Sequence, residues 1–262
     1  MKKVVKPTEP VFFGRMNTQL ENLSYPEVEQ YLKKNDIILV PTGSVEQHSP
    51  YGLIGTDFIT AEAVAQRVAR AMQILVAPTV KYGVSPHHMA FSGTVSLVPD
   101  TMIMLISDII QSLVAHGFRR IVFINGHGGN INAIKTAMER LKAQKIQGCF
   151  EVISWYEMEE IQQLSEDLYS AEEGHHATPS EVSITRYLRP EAFETKPAHE
   201  LQVKNPKYYW PLTCEEMKKV FPDGRMESAP WLATADHGLK LLDEASRAIQ
   251  KKVDEIMLLK VL

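Results

Sequence analysis

The chain has 262 residues, 44% hydrophobic and 23% charged, a composition typical of a soluble globular protein. Its formal net charge of -4 excludes the basic excess that nucleic-acid binding requires. No apolar run approaches the ~18–20 residues of a membrane-spanning helix, so we expect neither nucleic acid nor a membrane as a partner.

The cysteine content and the start of the chain both indicate a cytoplasmic protein. Cys149 and Cys214 cannot build a disulfide framework, and they do not have metal-finger spacing. The opening segment MKKVVKPTEP has two lysines but no apolar stretch behind them, so no secretory signal is expected.

Strand-like and helix-like segments alternate along the chain. The predicted elements are a strand at 36–40, a helix at 58–72 behind Thr56 and Asp57, a strand at 74–77, a helix from Asp100 to Gly117, a strand at 120–124, a helix at 131–144, a strand at 150–155, a helix at 181–188 and a last helix at about 234–259. No element is predicted between Pro190 and Pro230. The alternation implies βαβ units and therefore one α/β domain, residues 1–262, with a mainly parallel sheet flanked by helices.

The positions of the nine histidines are the most informative feature of the composition. Ligands of open parallel α/β sheets bind beyond the carboxyl ends of the strands. Six histidines fall in or near such loops: His48, His87, His88, His127, His175 and His176. A metal site or an acid–base site is therefore the first hypothesis.

Glu46 and His48 follow the first predicted strand. In an extended segment, positions i and i+2 face the same side, so these two side chains can converge. A loop with Pro50 and Gly52 can bring Asp57 back to the same place. Carboxylate and imidazole are ligands of Zn²⁺, Mn²⁺ or Fe²⁺. The alternative is a helix-capping aspartate beside two solvated polar residues.

The segment NGHGGN, residues 125–130, connects a predicted strand to a helix. Its three glycines indicate that another group approaches the turn closely. A dinucleotide-binding loop is excluded because Ile131 takes the third glycine position and no acidic residue follows at the required distance. A histidine here, His127, would point at the edge of the sheet, where a metal could bind it.

Two further segments carry histidines. In GHHATPSE, residues 174–181, a T-x-x-E capping box explains Glu181 without a metal, although a carboxylate in the first helical turn can also face the cleft. The capping box does not explain the paired histidines before it. The loop YGVSPHHMAFSGTVS, residues 82–96, is long and marked by glycine and proline, so a substrate contact is favoured over metal ligation.

Four ordered segments resemble the motifs of the creatininase (creatinine amidohydrolase) family. They are PTGSVEQHSPYGLIGTD, YGVSPHHMAFSGTVSL, NGHGGN and HHATPSEVS. The resemblance covers roughly residues 37–188, and DGRMESAPWLATADHG is similar to a C-terminal segment of the family.

The resemblance implies a single α/β domain with a two-metal centre, in which zinc is the first expectation and manganese or iron the alternatives. The implied metal ligands are Glu46, His48, Asp57, His127 and Glu181, with Asp57 bridging both ions. It also implies that His176 is the catalytic histidine, and we expect substrate contacts from Ser85, His88, Gly128 and Gly129. Family members often form hexamers, so a homo-oligomer is implied.

Some positions depart from the family pattern. Ser49 replaces the glycine usual after E-Q-H, Tyr51 a histidine, and Ser92 a proline. Gly129 stands where creatininase proper has a glutamate, so creatinine itself is not the expected substrate. Members with NGHGGN include deformylases of pyrimidine nucleotides and hydrolases of other small cyclic or ketone substrates.

The leading hypothesis is a hydrolase of a small amide or cyclic amide. A metal-bound hydroxide would attack a carbonyl, and His176 would carry the proton to the leaving nitrogen. One alternative keeps the metal centre but cleaves a carbon–carbon bond of a cyclic ketone. The other is a family member that binds a small molecule without catalysis.

Overall fold

The computed structural model describes residues 17–197 and 207–261. Its central feature is a four-stranded parallel sheet with the strand order β2-β1-β3-β4. The strands are β1 (Ile37–Thr42), β2 (Leu75–Val76), β3 (Arg120–Asn125) and β4 (Cys149–Ser154). Thr42 pairs with Asn125, which pairs with Ser154, so β1, β3 and β4 end level at one edge of the sheet.

Helices cover both faces of the sheet. In the described residues they are α1 (Tyr25–Leu32), α2 (Thr56–Met72), α3 (Pro99–His116), α4 (Ile131–Ala143), α5 (Glu159–Tyr169), α6 (Pro179–Leu188), α7 (Cys214–Val220) and α8 (Ala235–Leu258). On one face Leu39 packs in a core with residues of α2 and α8, and on the other Val40 packs with residues of α3 and α4. Because β1 is buried on both faces, its sequence is a continuous apolar run without alternation.

The sequence predicted the α/β class and the parallel sheet correctly, and most element bounds agree within two residues. Thr56 and Asp57 belong to the first turn of α2, whose N-cap is Gly55. The sequence prediction missed α1, α5 and α7, the last of which lies in the stretch between Pro190 and Pro230. Residues 198–206 of that stretch lie outside the described residues.

Trp155 follows β4 and belongs to the core. Its side chain is fully buried, and its Nε1 donates a hydrogen bond of 3.2 Å to Oγ1 of Thr60. This hydrogen bond connects the end of β4 to α2 within the core. No helix in the described part of the chain combines the length and the apolarity that crossing a bilayer demands.

Candidate metal centre

The five predicted metal ligands meet at the carboxyl edge of the sheet. Glu46 and His48 lie in the loop after β1, and His127 follows β3. Asp57 is the second residue of α2, and Glu181 is the third residue of α6. Because β1 and β3 end level beside each other, their following loops bring these side chains to one point.

Asp57 contacts a histidine with each of its carboxylate oxygens. Its Oδ1 lies 3.0 Å from Nε2 of His48, and its Oδ2 lies 3.1 Å from Nδ1 of His127. Oε2 of Glu46 lies 3.3 Å from the same nitrogen of His127. All four residues are buried, with no more than 5% of the surface of any of them exposed.

Two of the possible ligand groups share Asp57. Glu46, Asp57 and His127 form one group, with ligand atoms all within 4.8 Å of one another, and His48, Asp57 and Glu181 form the second. Glu46, His48 and His176 satisfy the same distance limit. Asp57 thus stands between His48 and His127, with one carboxylate oxygen towards each ring.

Each of the two histidines uses one ring nitrogen in a hydrogen bond to the backbone and turns the other towards the carboxylates. Nε2 of His127 donates to the carbonyl oxygen of Val84 at 2.9 Å, and Nδ1 of His48 donates to that of Glu46 at 3.2 Å. Because each of these nitrogens is occupied by a carbonyl, the other ring nitrogen of each histidine is the one that faces the carboxylates. Metal-binding histidines are typically held by such a hydrogen bond.

Three atoms at the centre of the cluster are buried without a hydrogen bond: Oε2 of Glu46, Nε2 of His48 and Oδ2 of Asp57. Buried acceptors that face one another are costly unless a proton or a cation lies between them. Oxygen and imidazole nitrogen together suit zinc, manganese or iron. The residues present therefore fit a divalent metal.

The negative charge of the carboxylates in this cluster favours protonation of the histidines beside them. Burial opposes charge on His48, but the adjacent Asp57 and Glu181 outweigh it and raise the His48 pKa to about 10. Burial likewise opposes ionisation of Glu46, whereas His127, His88 and His176 hold the Glu46 pKa well below its ordinary value. Positive charge is therefore favoured inside this cluster.

Glu181 has both of the roles considered from the sequence. Its Oε2 accepts a hydrogen bond of 3.0 Å from the backbone N–H of Thr178, and its own N–H donates to Thr178 Oγ1 at 3.2 Å. This is the predicted capping box. The same carboxylate also belongs to the group with His48 and Asp57, so the cap holds it in the cleft.

His176 and His88 lie stacked beside Glu46. Their ring centroids are 4.3 Å apart with an angle of 26° between the planes. Nδ1 of His176 lies 3.6 Å from Oε1 of Glu46. Burial lowers the pKa of His176 to about 4 and also lowers the pKa of His88, so both rings are neutral near pH 7.

Comparison with known proteins identifies the family. Residues 21–253 match the model of the family described as Creatininase: Creatinine amidohydrolase. The chain belongs to the creatininase family. It is 30% identical to creatinine amidohydrolase of Pseudomonas putida over 185 residues, which are 64% of this chain and 71% of that protein.

Other relatives have different names. The mycofactocin precursor peptide peptidase of Mycobacterium tuberculosis strain H37Rv is 37% identical over 117 residues, 41% of this chain, and the chain spans about half (46%) of its length. The 3-dehydro-scyllo-inosose hydrolase of Thermotoga maritima is 31% identical over 109 residues, 41% of this chain and 35% of that protein. Among solved structures, the manganese form of creatininase has a TM-score of 0.75 and 25% identity, and the match covers 92% of this chain and 98% of that one.

A strained backbone residue follows each of two site histidines. Ser49 and Ala177 have φ angles of +60° and +53° and directly follow His48 and His176. Left-handed conformations cost a non-glycine residue roughly 1–2 kcal/mol. Glycine, the usual creatininase-family residue at position 49, adopts this conformation without that cost.

Two of the three glycines of NGHGGN, Gly126 and Gly129, permit close contacts of the predicted kind. A Cβ at Gly126 would overlap the carbonyl oxygen of Asp57, and one at Gly129 would overlap that of Val84 and the ring of His127. Gly129 occupies the position at which creatininase proper has a glutamate. The close packing around Gly129 leaves no space there for a larger side chain.

A cavity of about 1000 Å³ opens over the cluster. Of the predicted substrate contacts, His88, Gly128 and Gly129 line it. Ser85 is fully buried behind His127, where its Oγ lies 3.2 Å from Nε2 of that ring. Ser85 therefore contacts a predicted metal ligand, and its contact with substrate stays a prediction.

The sequence prediction missed part of the cavity wall. The wall also includes Tyr156, Glu173, Tyr208 and Trp210. Trp210 packs edge-on against His87, with 4.9 Å between the ring centroids. Tyr208 and Trp210 come from the stretch without a predicted element, where the run of three aromatic residues YYW was the one available signal.

Proposed function

We propose that this creatininase-family protein is a metal-dependent hydrolase of a small amide or cyclic amide. We further propose two divalent ions, with zinc as the first expectation and manganese or iron as alternatives. The observation that carries the proposal is Asp57, whose two carboxylate oxygens lie 3.0 and 3.1 Å from ring nitrogens of His48 and His127.

The proposed ligands divide between the two ions. Glu46, Asp57 and His127 would hold one, and His48, Asp57 and Glu181 would hold the other. When bound, two such ions polarise a carbonyl and lower the pKa of a water molecule. Each ion would have few protein ligands, which leaves positions open for water and substrate.

His176 is the proposed catalytic histidine. It lines the cavity beside Glu46, and its low pKa keeps it able to accept a proton at neutral pH. As the oxygen of water bonds to the carbonyl carbon, a proton of that water moves to His176. When the carbon–nitrogen bond breaks, His176 returns the proton to the leaving nitrogen.

The remaining wall would hold the substrate. We assign contacts to His88, Gly128 and Gly129, which line the cavity, and keep Ser85, which lies buried behind His127, as a fourth proposed contact. Ligand pockets in proteins measure roughly 300–1000 Å³, so this cavity of about 1000 Å³ has room for more than one small ring. The peptidase relatives support the inclusion of peptides among the amides to be tested.

A second candidate is hydrolysis of a carbon–carbon bond in a cyclic ketone by the same centre. It is supported by the relative named 3-dehydro-scyllo-inosose hydrolase, whose name does not describe an amidohydrolase. The third possibility, a binding protein without activity, is less well supported, because all six proposed metal and catalytic residues are retained. We also propose a cytoplasmic homo-oligomer, a hexamer by family resemblance, which mass measurement in solution would test.

The test is an assay of protein loaded separately with Zn²⁺, Mn²⁺ or Fe²⁺. The panel comprises cyclic amides, linear amides, dipeptides and cyclic diketones. We expect turnover of an amide that is lost in Glu46→Ala and reduced at least 100-fold in His176→Ala. Turnover of diketones alone would favour the second candidate. Protein that binds none of the three metals, or activity unchanged in both variants, would overturn the proposal.

A further inference from the structure

The side-chain amide of Gln47 lies buried among the site histidines. Its oxygen accepts a hydrogen bond of 2.8 Å from the backbone N–H of Ser49. Its nitrogen donates to the backbone carbonyl of Gly224 at 3.0 Å. Because a backbone N–H can only donate and a carbonyl can only accept, these contacts fix the orientation of the amide. The nitrogen has one further hydrogen to donate.

Two ring nitrogens lie within reach of that hydrogen. Nδ1 of His88 is 2.9 Å from the amide nitrogen, and Nε2 of His176 is 3.0 Å from it. The same Nε2 of His176 lies 2.8 Å from the backbone carbonyl of Gln47, which must receive a hydrogen from it. The remaining hydrogen of the amide therefore goes to His88, whose Nδ1 must be bare.

These assignments determine what each neutral ring presents to the cavity. His88 has its hydrogen on Nε2, which lies 3.8 Å from Oε1 of Glu46. His176 has its lone pair on Nδ1, which lies 3.6 Å from that same oxygen. The stacked pair thus offers one hydrogen-bond donor and one proton acceptor side by side, at the wall of the cavity above the metal ligands.

We propose that Gln47 is a positioning residue that fixes the tautomers of His88 and His176. The fixed tautomers let His176 accept a proton from water while His88 donates a hydrogen bond to an oxygen of the substrate. The use of these nitrogens rests on the proposed hydrolase function. The tautomers themselves are a property of the protein and can be measured without any substrate.

Gln47→Glu provides a sharp test, because it replaces the donating nitrogen with an oxygen that can only accept. Nδ1 of His88 must then gain a hydrogen to keep its contact with residue 47. Nε2 of His176 already carries a hydrogen and can keep it. We therefore expect Gln47→Glu to change the state of His88 Nδ1 from bare to protonated, and to leave His176 Nε2 unchanged.

The measurement is long-range ¹H–¹⁵N NMR of zinc-loaded protein with ¹⁵N-labelled histidine, in which protonated and bare ring nitrogens are distinguished. Each ring signal is assigned to its histidine by the His→Gln variant in which that signal is missing. Wild type should show bare Nδ1 and protonated Nε2 for His88, and protonated Nε2 for His176. The matched control is Gln162→Glu, which makes the same chemical change elsewhere on the cavity wall and should leave His88 as in wild type.

The proposal is overturned if His88 Nδ1 is protonated in wild type, or if it stays bare in folded Gln47→Glu. The wild-type spectrum decides the matter even if that variant does not fold. A correct set of tautomers without turnover of any panel substrate would contradict only the proposed function. With an active amide substrate, Gln47→Glu should lower kcat about 100-fold with a smaller change in KM.

Discussion

Oδ1 of Asp57 lies 3.0 Å from Nε2 of His48, which belongs to the loop between β1 and α2, whereas Asp57 belongs to the first turn of α2. The loop leaves β1 and returns to begin α2, so the contact closes the chain onto itself at the edge of the sheet. The second oxygen of Asp57 faces His127, which follows the neighbouring strand β3. One carboxylate thus joins three separate segments of the site.

This arrangement predicts unequal effects of two conservative substitutions. Asp57→Asn replaces a group shared by both proposed ions, so we expect the metal content to fall from two ions per chain to less than one. Glu181→Gln affects one proposed ion and should leave about one per chain. Elemental analysis after dialysis measures both, with Glu166→Gln, an exposed carboxylate of the same cavity, as the control. Equal losses in the two variants would contradict a bridging role for Asp57.

Metal removal should lower the stability of the fold. A ligand at 100 times its dissociation constant stabilises the folded state by about 2.7 kcal/mol. For a chain of this size, that corresponds to a fall in Tm of roughly 5–10 °C when a chelator removes one ion. Thermal unfolding with and without chelator measures the effect. Asp57→Asn, which is expected to hold less than one ion per chain, should show a much smaller chelator-dependent change, and a fall similar to that of wild type would point to metal bound elsewhere.

The sequence predicts those parts of the site that depend on interactions between residues close together in the chain. Glu46 and His48 share a side of an extended segment, and the capping box of Glu181 is contained within four residues. Such features are visible in the sequence because neighbouring residues determine them. The apolar runs of the strands likewise predict the parallel sheet, since buried parallel strands have no polar face.

Other features depend on residues that are distant in the sequence. Gln47 donates a hydrogen bond to Gly224, which lies 177 residues further along the chain. No local sequence pattern encodes such a contact. The aromatic wall formed by Tyr208 and Trp210 belongs to a segment held largely by packing against other parts of the chain.

Glu173 should make stability depend on pH. Burial, reinforced by the charge of Glu181, raises the Glu173 pKa to about 7. A carboxyl with a raised folded-state pKa contributes stability that is complete below its unfolded pKa of about 4.5 and is lost as pH rises through 7. Glu173→Gln keeps the neutral form, so relative to wild type it should gain up to roughly 3 kcal/mol between pH 4.5 and 8.

Urea unfolding of metal-free wild type and Glu173→Gln at pH 4.5 and pH 8 measures this difference. Glu166→Gln removes an exposed charge of the same cavity and controls for the change in net charge. If the stability difference between wild type and Glu173→Gln is the same at both pH values, ionisation of Glu173 does not destabilise the fold. The prediction that burial raises its pKa would then be wrong.

Gly128 and Gly129 are adjacent glycines with different surroundings, and alanine substitution should separate them. A Cβ at Gly129 would overlap the carbonyl oxygen of Val84 and the ring of His127, whereas one at Gly128 would meet only the hydroxyl of Tyr156, at 3.5 Å. Overpacking of this kind typically costs 1–3 kcal/mol. We expect Gly129→Ala to lower the free energy of unfolding by about that amount, and Gly128→Ala to leave it nearly unchanged.

The same pair tests the link between the turn and the metal centre. Because the added methyl at position 129 must displace the ring of His127, Gly129→Ala should weaken metal binding by about 10–100-fold, the usual effect of disturbing the support of a ligand. Titration calorimetry with Zn²⁺ measures this loss, with Gly128→Ala as the matched control. If Gly129→Ala loses stability but binds zinc as tightly as wild type, the backbone near Val84 yields to the methyl group and His127 keeps its place.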